Sequence, residues 1–423
     1  MNDREPFIYI KQMYMKGFFD LEENCKEKII SEDYWDFIIS PYREDELEGV
    51  DTEKMCIQEL DFGYKSVSLD SRMLLPLSLR QYWYGAIPKC YTLLDMQPLD
   101  AAGIITLQNY PTLQLMGDGI MIGFLDTGID YQNRVFRNLD GTTRIVGIWD
   151  QTIQTGRTPQ GLYYGTEYTE EMINAALRSE DPLQIVPSVD TDGHGTFVAS
   201  AAAGGAEVGK RFLGAAPEAS IAMVKLKPAK NYLKEFFVIA QDAVCYQEND
   251  IMLGLRYLND LARKQGMPLV ICVALGTSFG GHNGDSLLAD ILDIYATVRN
   301  RCVVVGTGNE AARRHHYFNR FTDAQDMRTA EIRVGEGTQS FAVELWSTLP
   351  NIVMVSVTSP SGERTGMIPI RLGYLFDFLF TFERTTITVE YRLLQENNDA
   401  QLVFIRFQNA VPGIWKIDIK PAM

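Results

Sequence analysis

The 423-residue chain predicts an α/β fold, a parallel sheet with helices on both faces, extended by a C-terminal antiparallel β module. Two observations carry this. Between about residues 99 and 318, continuous apolar runs of strand length alternate with amphipathic stretches of helix length, the pattern of a parallel sheet covered on both sides. Beyond about residue 318 the apolar period becomes two, as in half-buried strands. The stretch before residue 99 has neither pattern, so three regions are expected: 1–98, 99–318 and 319–423.

In the first region, Ser31 to Ser40 reads as a capped helix or a strand, and Tyr42 to Glu48 as a solvated charge run. The second region is more explicit. Gly119 to Leu125 is apolar throughout and ends in Asp126-Thr127-Gly128, as expected of a strand buried on both faces with a functional side chain at its tip. Thr196 to Ala203 is alanine-rich and stops at Gly204-Gly205, a short helix able to lie close to a sheet. Ser220 to Leu226 is the next strand. Asp250 to Gln265 has Ile251, Leu255, Leu258 and Leu261 on one helical face and closes at Gly266 and Pro268. Leu269 to Leu275 is then a strand, Ser286 to Arg301 a helix with Leu287, Ile291 and Val298 inward, and Cys302 to Val305 another strand. In the third region Val353, Val355 and Val357, then Ile387, Val389 and Tyr391, then Trp415, Ile417 and Ile419 alternate with other residues, as in a sandwich.

An apolar content of 46% with 11% aromatics fills real cores, and the net charge of −16 argues against a nucleic-acid partner. Six cysteines without a C-x-x-C pair indicate neither a zinc site nor a dense disulfide framework, and Cys272 and Cys302, inside apolar runs, are expected to be buried. No basic n-region opens the chain and no run of about 18 apolar residues occurs, so neither export nor a membrane partner is expected.

Three stretches carry chemistry. Asp190-Thr191-Asp192-Gly193-His194-Gly195-Thr196 sets a histidine at the mouth of the alanine-rich helix. Upstream is Gly123-Phe124-Leu125-Asp126-Thr127-Gly128, and downstream Val303-Val304-Val305-Gly306-Thr307-Gly308-Asn309-Glu310. In this order they resemble the subtilisin-like serine proteases (subtilases), and within them the Csp branch known from clostridial spores. The resemblance implies that Asp126 orients His194, that His194 is the general base and that Asn309 meets the oxyanion. It makes Ala274, Leu275 and Gly276 the strand that pairs with an extended peptide substrate. By position and length it also implies that the N-terminal region includes a pro-segment, a further partner of the site, and that the C-terminal module is a jelly-roll-like insertion. Gly280-Gly281-His282-Asn283-Gly284 resembles the glycine and histidine loop of the Csp branch. No cofactor or metal is implied. A cytoplasmic or spore-associated protein acting in germination, on the precursor of a cortex-degrading enzyme, is the expectation.

Four competing motifs are set aside. The loop beginning Asp190-Thr191-Asp192-Gly193 has Ala201 at the twelfth place, where a calcium loop needs a bidentate glutamate. Gly276-Thr277-Ser278 looks like a nucleophile segment, but it precedes Asn309 and is followed by Phe279, so Ser278 is read as a loop residue. Val305-Gly306-Thr307-Gly308-Asn309-Glu310-Ala311 fits a dinucleotide fingerprint only if a helix and a second parallel strand follow it. His315 and His316 are adjacent and read as surface. No Gly-Thr-Ser leading into a small-residue helix follows Asn309. The sequence as given is therefore expected to be inactive, either as the N-terminal part of a working protease or as a pseudoprotease that keeps the cleft for binding or regulation.

Overall fold

The computed structural model describes residues 25–43, 54–93, 104, 108, 115–207, 212–310, 313–394 and 399–422. Helix α1 (Cys25–Ile30) leads into strands β1 (Tyr34–Ile39), β2 (Met55–Glu59) and β3 (Lys65–Asp70), which pair antiparallel in the order β1-β3-β2. Ser31 to Ser40 is thus mostly strand. Its alternation explains why: Phe37 and Ile39 enter one core and Ile38 another. Most of the charge run from Tyr42 to Glu48 falls outside the described residues. A Cys25–Cys56 disulfide ties α1 to β2, a link the cysteine spacing did not signal. Strand β4 (Cys90–Leu93) leaves this sheet and pairs elsewhere.

The middle of the chain supplies β5 (Met121–Asp126), β6 (Ile145–Asp150), β7 (Thr166–Thr169), α2 (Glu170–Arg178), α3 (His194–Ala203) and β8 (Ser220–Lys225). It continues with α4 (Asn231–Phe236), β9 (Tyr246–Gln247), α5 (Glu248–Gln265), β10 (Leu269–Val273), β11 (Leu275–Gly276), α6 (Leu287–Thr297) and β12 (Arg301–Val305). Six strands form one sheet in the order β12-β10-β5-β8-β6-β7. Five are parallel and β7 is antiparallel to β6, so the sheet is mixed at one edge where a wholly parallel one was expected. The reason is local: the link from β6, residues 151–165, contains no helix to carry it across and returns on the same edge.

Helices cover both faces, and the strand alternation decides which residue meets which. Met121 and Leu125, Ala222 and Val224, and Leu269, Ile271 and Val273 join the core with α5 and α6. Ile122 and Phe124, with Ile221 and Met223, join α2 and α3 on the other side. Helix α5 ends as its sequence dictates, with Gly266 at φ 67° capping the last turn through its amide. Two inward expectations fail. Val298 is the C-cap of α6 and 38% exposed, because the helix stops at Thr297. Cys302 is exposed and Val304 is 50% exposed, because β12 is an edge strand and α2 and α3 cover only the strands further in. Cys272 is partly buried.

The third region forms two antiparallel sheets. One is β13 (Arg328–Val334), β19 (Gly413–Pro421) and β15 (Val353–Thr358), and the other β14 (Ser340–Thr348), β18 (Ala400–Gln408), β17 (Thr386–Leu394) and β16 (Leu375–Leu379). Val355, Val357, Trp415 and Ile417 of the first pack against Ile387, Val389, Ile405 and Phe407 of the second, as the period of two predicted. The four-stranded sheet is also used on its outer face. Leu402 and Phe404 of β18 enter a core with Phe37 and Val67 from the N-terminal sheet, Phe236 of α4 and Phe237, the C-cap of that helix. All three sequence regions therefore share one apolar core. Among the described residues, no helix is long and apolar enough to cross a membrane.

Phe404 lies 5.3 Å from the Phe236 ring, stacked, and is 1% exposed. Phe404→Ala is expected to cost about 3–5 kcal/mol, as for a large aromatic removed from a packed core, read as a lower denaturation midpoint.

Candidate active site

The site is built where β5 ends. Asp126 is the last residue of that strand, 1% exposed, and the chain turns through Thr127 and Gly128, the latter at φ 125°. Asp126 Oδ1 accepts from the Thr127 amide at 2.7 Å and stands 2.8 Å from His194 Nδ1; Oδ2 stands 3.0 Å from the same nitrogen. A carboxylate only accepts, so Nδ1 carries the proton and Nε2 becomes the basic nitrogen. The His194 side chain is 14% exposed, enough to meet a ligand.

Helix α3 holds the histidine there. It begins at His194, with Gly193 at φ 91° as its N-cap. Gly195 has a specific job: a Cβ on it would lie 2.2 Å from the Gly128 carbonyl oxygen and 3.1 Å from Asp126 Cβ. Only glycine lets the helix press against the Asp-Thr-Gly turn. Backbone-to-hydroxyl bonds then fasten the two, Gly195 N to Thr127 Oγ1 at 2.9 Å and Asp130 N to Thr196 Oγ1 at 2.9 Å.

Asp190 completes this frame, and sequence reading missed it. One oxygen accepts from the Gly193 amide at 2.9 Å and Thr127 Oγ1 at 2.8 Å, and the other from Thr196 N at 2.8 Å and Thr196 Oγ1 at 2.6 Å. Burial pushes its carboxyl up, but the bonds from Thr196, Gly193 and Thr127 outweigh that and hold it below its ordinary value. The available signal was the Asp-x-x-Gly spacing before a helix, which marks an aspartate capping its own turn.

The remaining predicted residues gather at the same end of the sheet. The Gly306 amide, just after β12, bonds the Val273 carbonyl at 3.0 Å, and Asn309 follows in an exposed loop. Asn309 thus shares the edge that bears Asp126, two strands away. Ala274 is buried between β10 and β11, and the predicted single strand Leu269 to Leu275 is broken there. Leu275 and Gly276 turn off to pair antiparallel with Leu93 and Thr92 of β4. The other side of β4 pairs with β9, Cys90 opposite Gln247 and Tyr91 opposite Tyr246. An N-terminal strand therefore lies in the middle of a three-stranded sheet made from the predicted substrate strand and β9. Tyr246 of that sheet has its phenol pushed up first by burial and then by the charges of Asp126, Asp192 and Asp190. Cys272 of β10 is pushed up to about 12 by burial and by Asp126.

Ser278 is exposed in the loop after β11, as expected of a loop residue, and its neighbour Phe279 packs 4.6 Å from Phe237. The described residues from Gly306 to Met327 contain no helix, which removes the support a dinucleotide site needs. His315 and His316 are exposed, and His316 lies 5.1 Å from the ring of His282.

The model of the subtilase family matches residues 117–365, which span the Asp126 turn, helix α3 and the strand before Asn309. The chain belongs to the subtilase family. Among solved structures, this subtilase is similar to the CspB protease of Clostridium perfringens, with 30% identity and a TM-score of 0.65 over 76% of the present chain and 63% of that one. The chain thus spans less than two thirds of that protease's length. No curated relative matches it significantly.

Gly195→Ala is expected to push α3 off the turn at a cost of about 1–3 kcal/mol, as overpacking does, and to lengthen the Asp126–His194 contact. A lower unfolding midpoint together with a shifted His194 ring proton resonance checks this. Asp190 has a lowered folded value, so it adds stability above the unfolded carboxylate value of about 3.9 and loses it as pH falls through the folded value. The midpoint difference between the native chain and Asp190→Asn is accordingly expected to be full at pH 6 and to shrink below about pH 4.

Proposed function

We propose that this subtilase carries the aspartate and histidine of a subtilisin-like serine endopeptidase, and that its N-terminal stretch is a pro-segment held in the substrate groove. The observation that carries the first part is the 2.8 Å contact between His194 Nδ1 and Asp126. It makes His194 Nε2 the basic nitrogen that would take a proton from a hydroxyl nucleophile, while Asp126 keeps the ring oriented and balances the imidazolium charge. Asn309 is assigned the amide that meets the oxyanion, and Ala274, Leu275 and Gly276 the backbone that pairs with substrate.

The second part is supported by β4, which takes the central place an extended substrate would take between β11 and β9. On this reading residues 1–98 are the pro-segment, 99–318 the catalytic unit and 319–423 a jelly-roll-like insertion. The likeness to CspB supports the same branch, and with it a spore-associated protease acting on a protein precursor.

The nucleophile is not in the expected place in the residues given, since no Gly-Thr-Ser leading into a small-residue helix follows Asn309. Hydrolysis by this machinery needs a hydroxyl nucleophile within reach of His194 Nε2. A second reading, a pseudoprotease that binds peptides without cutting them, is favoured by the strand already in the groove.

A fluorophosphonate probe separates the readings. The 423-residue chain is expected to stay unlabelled, and labelling at Ser278 would overturn its assignment to a loop. A longer native form that labels, and no longer labels after His194→Ala, supports the protease; one that stays unlabelled supports the binding protein. In a labelling form, Asp126→Asn is expected to lower kcat by about 10⁴-fold.

A further inference from the structure

The strand in the groove also records what the groove is built to hold. Tyr91 points its side chain into the core beside β11, and it is 7% exposed. The apolar part of its surroundings belongs to one cluster that includes Ile251, Leu275, Leu287 and Leu288. Two helices deliver polar groups to the phenol. Tyr91 Oη donates to Oε1 of Glu248, in the first turn of α5, at 3.4 Å. The Ser286 hydroxyl, at the N-cap of α6, accepts the Ala289 amide at 3.1 Å and acts on the same phenol by favouring its charged form.

Glu248 has no exposure to solvent, and its other bonds come from backbone amides, Leu288 at 3.3 Å and Lys89 at 3.1 Å, with the Lys89 ammonium 3.8 Å away. A buried carboxylate that loses a donor keeps its desolvation cost. Burial, and then Glu248, hold the Tyr91 phenol well above its usual value, so it remains a donor.

We propose that Glu248 makes this a tyrosine pocket, so that the peptides the groove accepts carry a tyrosine at the place Tyr91 holds. Phenylalanine would fill the same apolar walls but leave the carboxylate without its phenol donor. This rests on the reading of β4 as the occupant of the substrate groove. Glu248 is a positioning and selecting residue here and takes no part in the Asp126–His194 chemistry.

The test keeps β4 in place and changes its side chain. In a double-mutant cycle on the full chain, Tyr91→Phe is expected to speed amide exchange in β4 by about 10–100-fold, the range for a bond to a charged partner, and to do so several-fold less in a Glu248→Gln background. Equal effects in the two backgrounds, with the Leu275 and Gly276 amides still protected from exchange, overturn the tyrosine pocket and leave the groove reading intact. Leu275 and Gly276 amides that exchange freely in the native chain overturn both.

Discussion

The site depends on how closely one helix can approach one turn. Helix α3 must lie against the Asp-Thr-Gly corner at the end of β5 for His194 Nδ1 to reach both oxygens of Asp126, and the Gly195 position has no room for a Cβ. The rest of the frame follows from that approach. Thr127 and Thr196 stitch the two elements together, and Asp190 gathers four donors so that the loop before the helix has one conformation. The buried aspartate is tolerable because its charge is met by donors the fold has fixed in advance.

A second constraint fastens the N-terminal stretch. Two of its groups enter a buried polar layer on the α/β body: Asp36 meets the Lys230 ammonium at 2.8 Å and the Gln247 amide at 2.8 Å, and Ser66 meets Asn249 at 3.1 Å. Charges removed from water in this way hold only as pairs, so separating the stretch from the body would expose a cost on both sides. The apolar core shared by Phe37, Phe236 and Phe404 adds an undirected attraction to this directed one. Together they keep β4 between β11 and β9, although residues of very different sequence position make the three strands.

The β module contributes to this with its outer face. Glu344 of β14 accepts from Tyr84 Oη at 2.7 Å and from the Gly280 amide at 2.7 Å, joining the N-terminal stretch to the loop after β11. Burial raises the Glu344 carboxyl despite those bonds. The module thus braces that loop from outside while its own core lies between its two sheets.

What the sequence determined by itself was local. Apolar runs set the strands, Gly266 set the end of α5, and the order Asp126, His194, Asn309 marked the end of the sheet where chemistry could occur, because those features depend on neighbours within a turn or a strand. Tertiary structure decided whatever depends on distant partners. The exposure of Cys302 follows from β12 being an edge strand, the antiparallel β7 from the helix-free return after β6, and the break at Ala274 from pairing with β4. Asp190 became part of the site through bonds to Thr127, 63 residues earlier. The place of Cys90 to Leu93 between β11 and β9 was illegible for the same reason: no periodicity within four residues names partners more than 150 positions away.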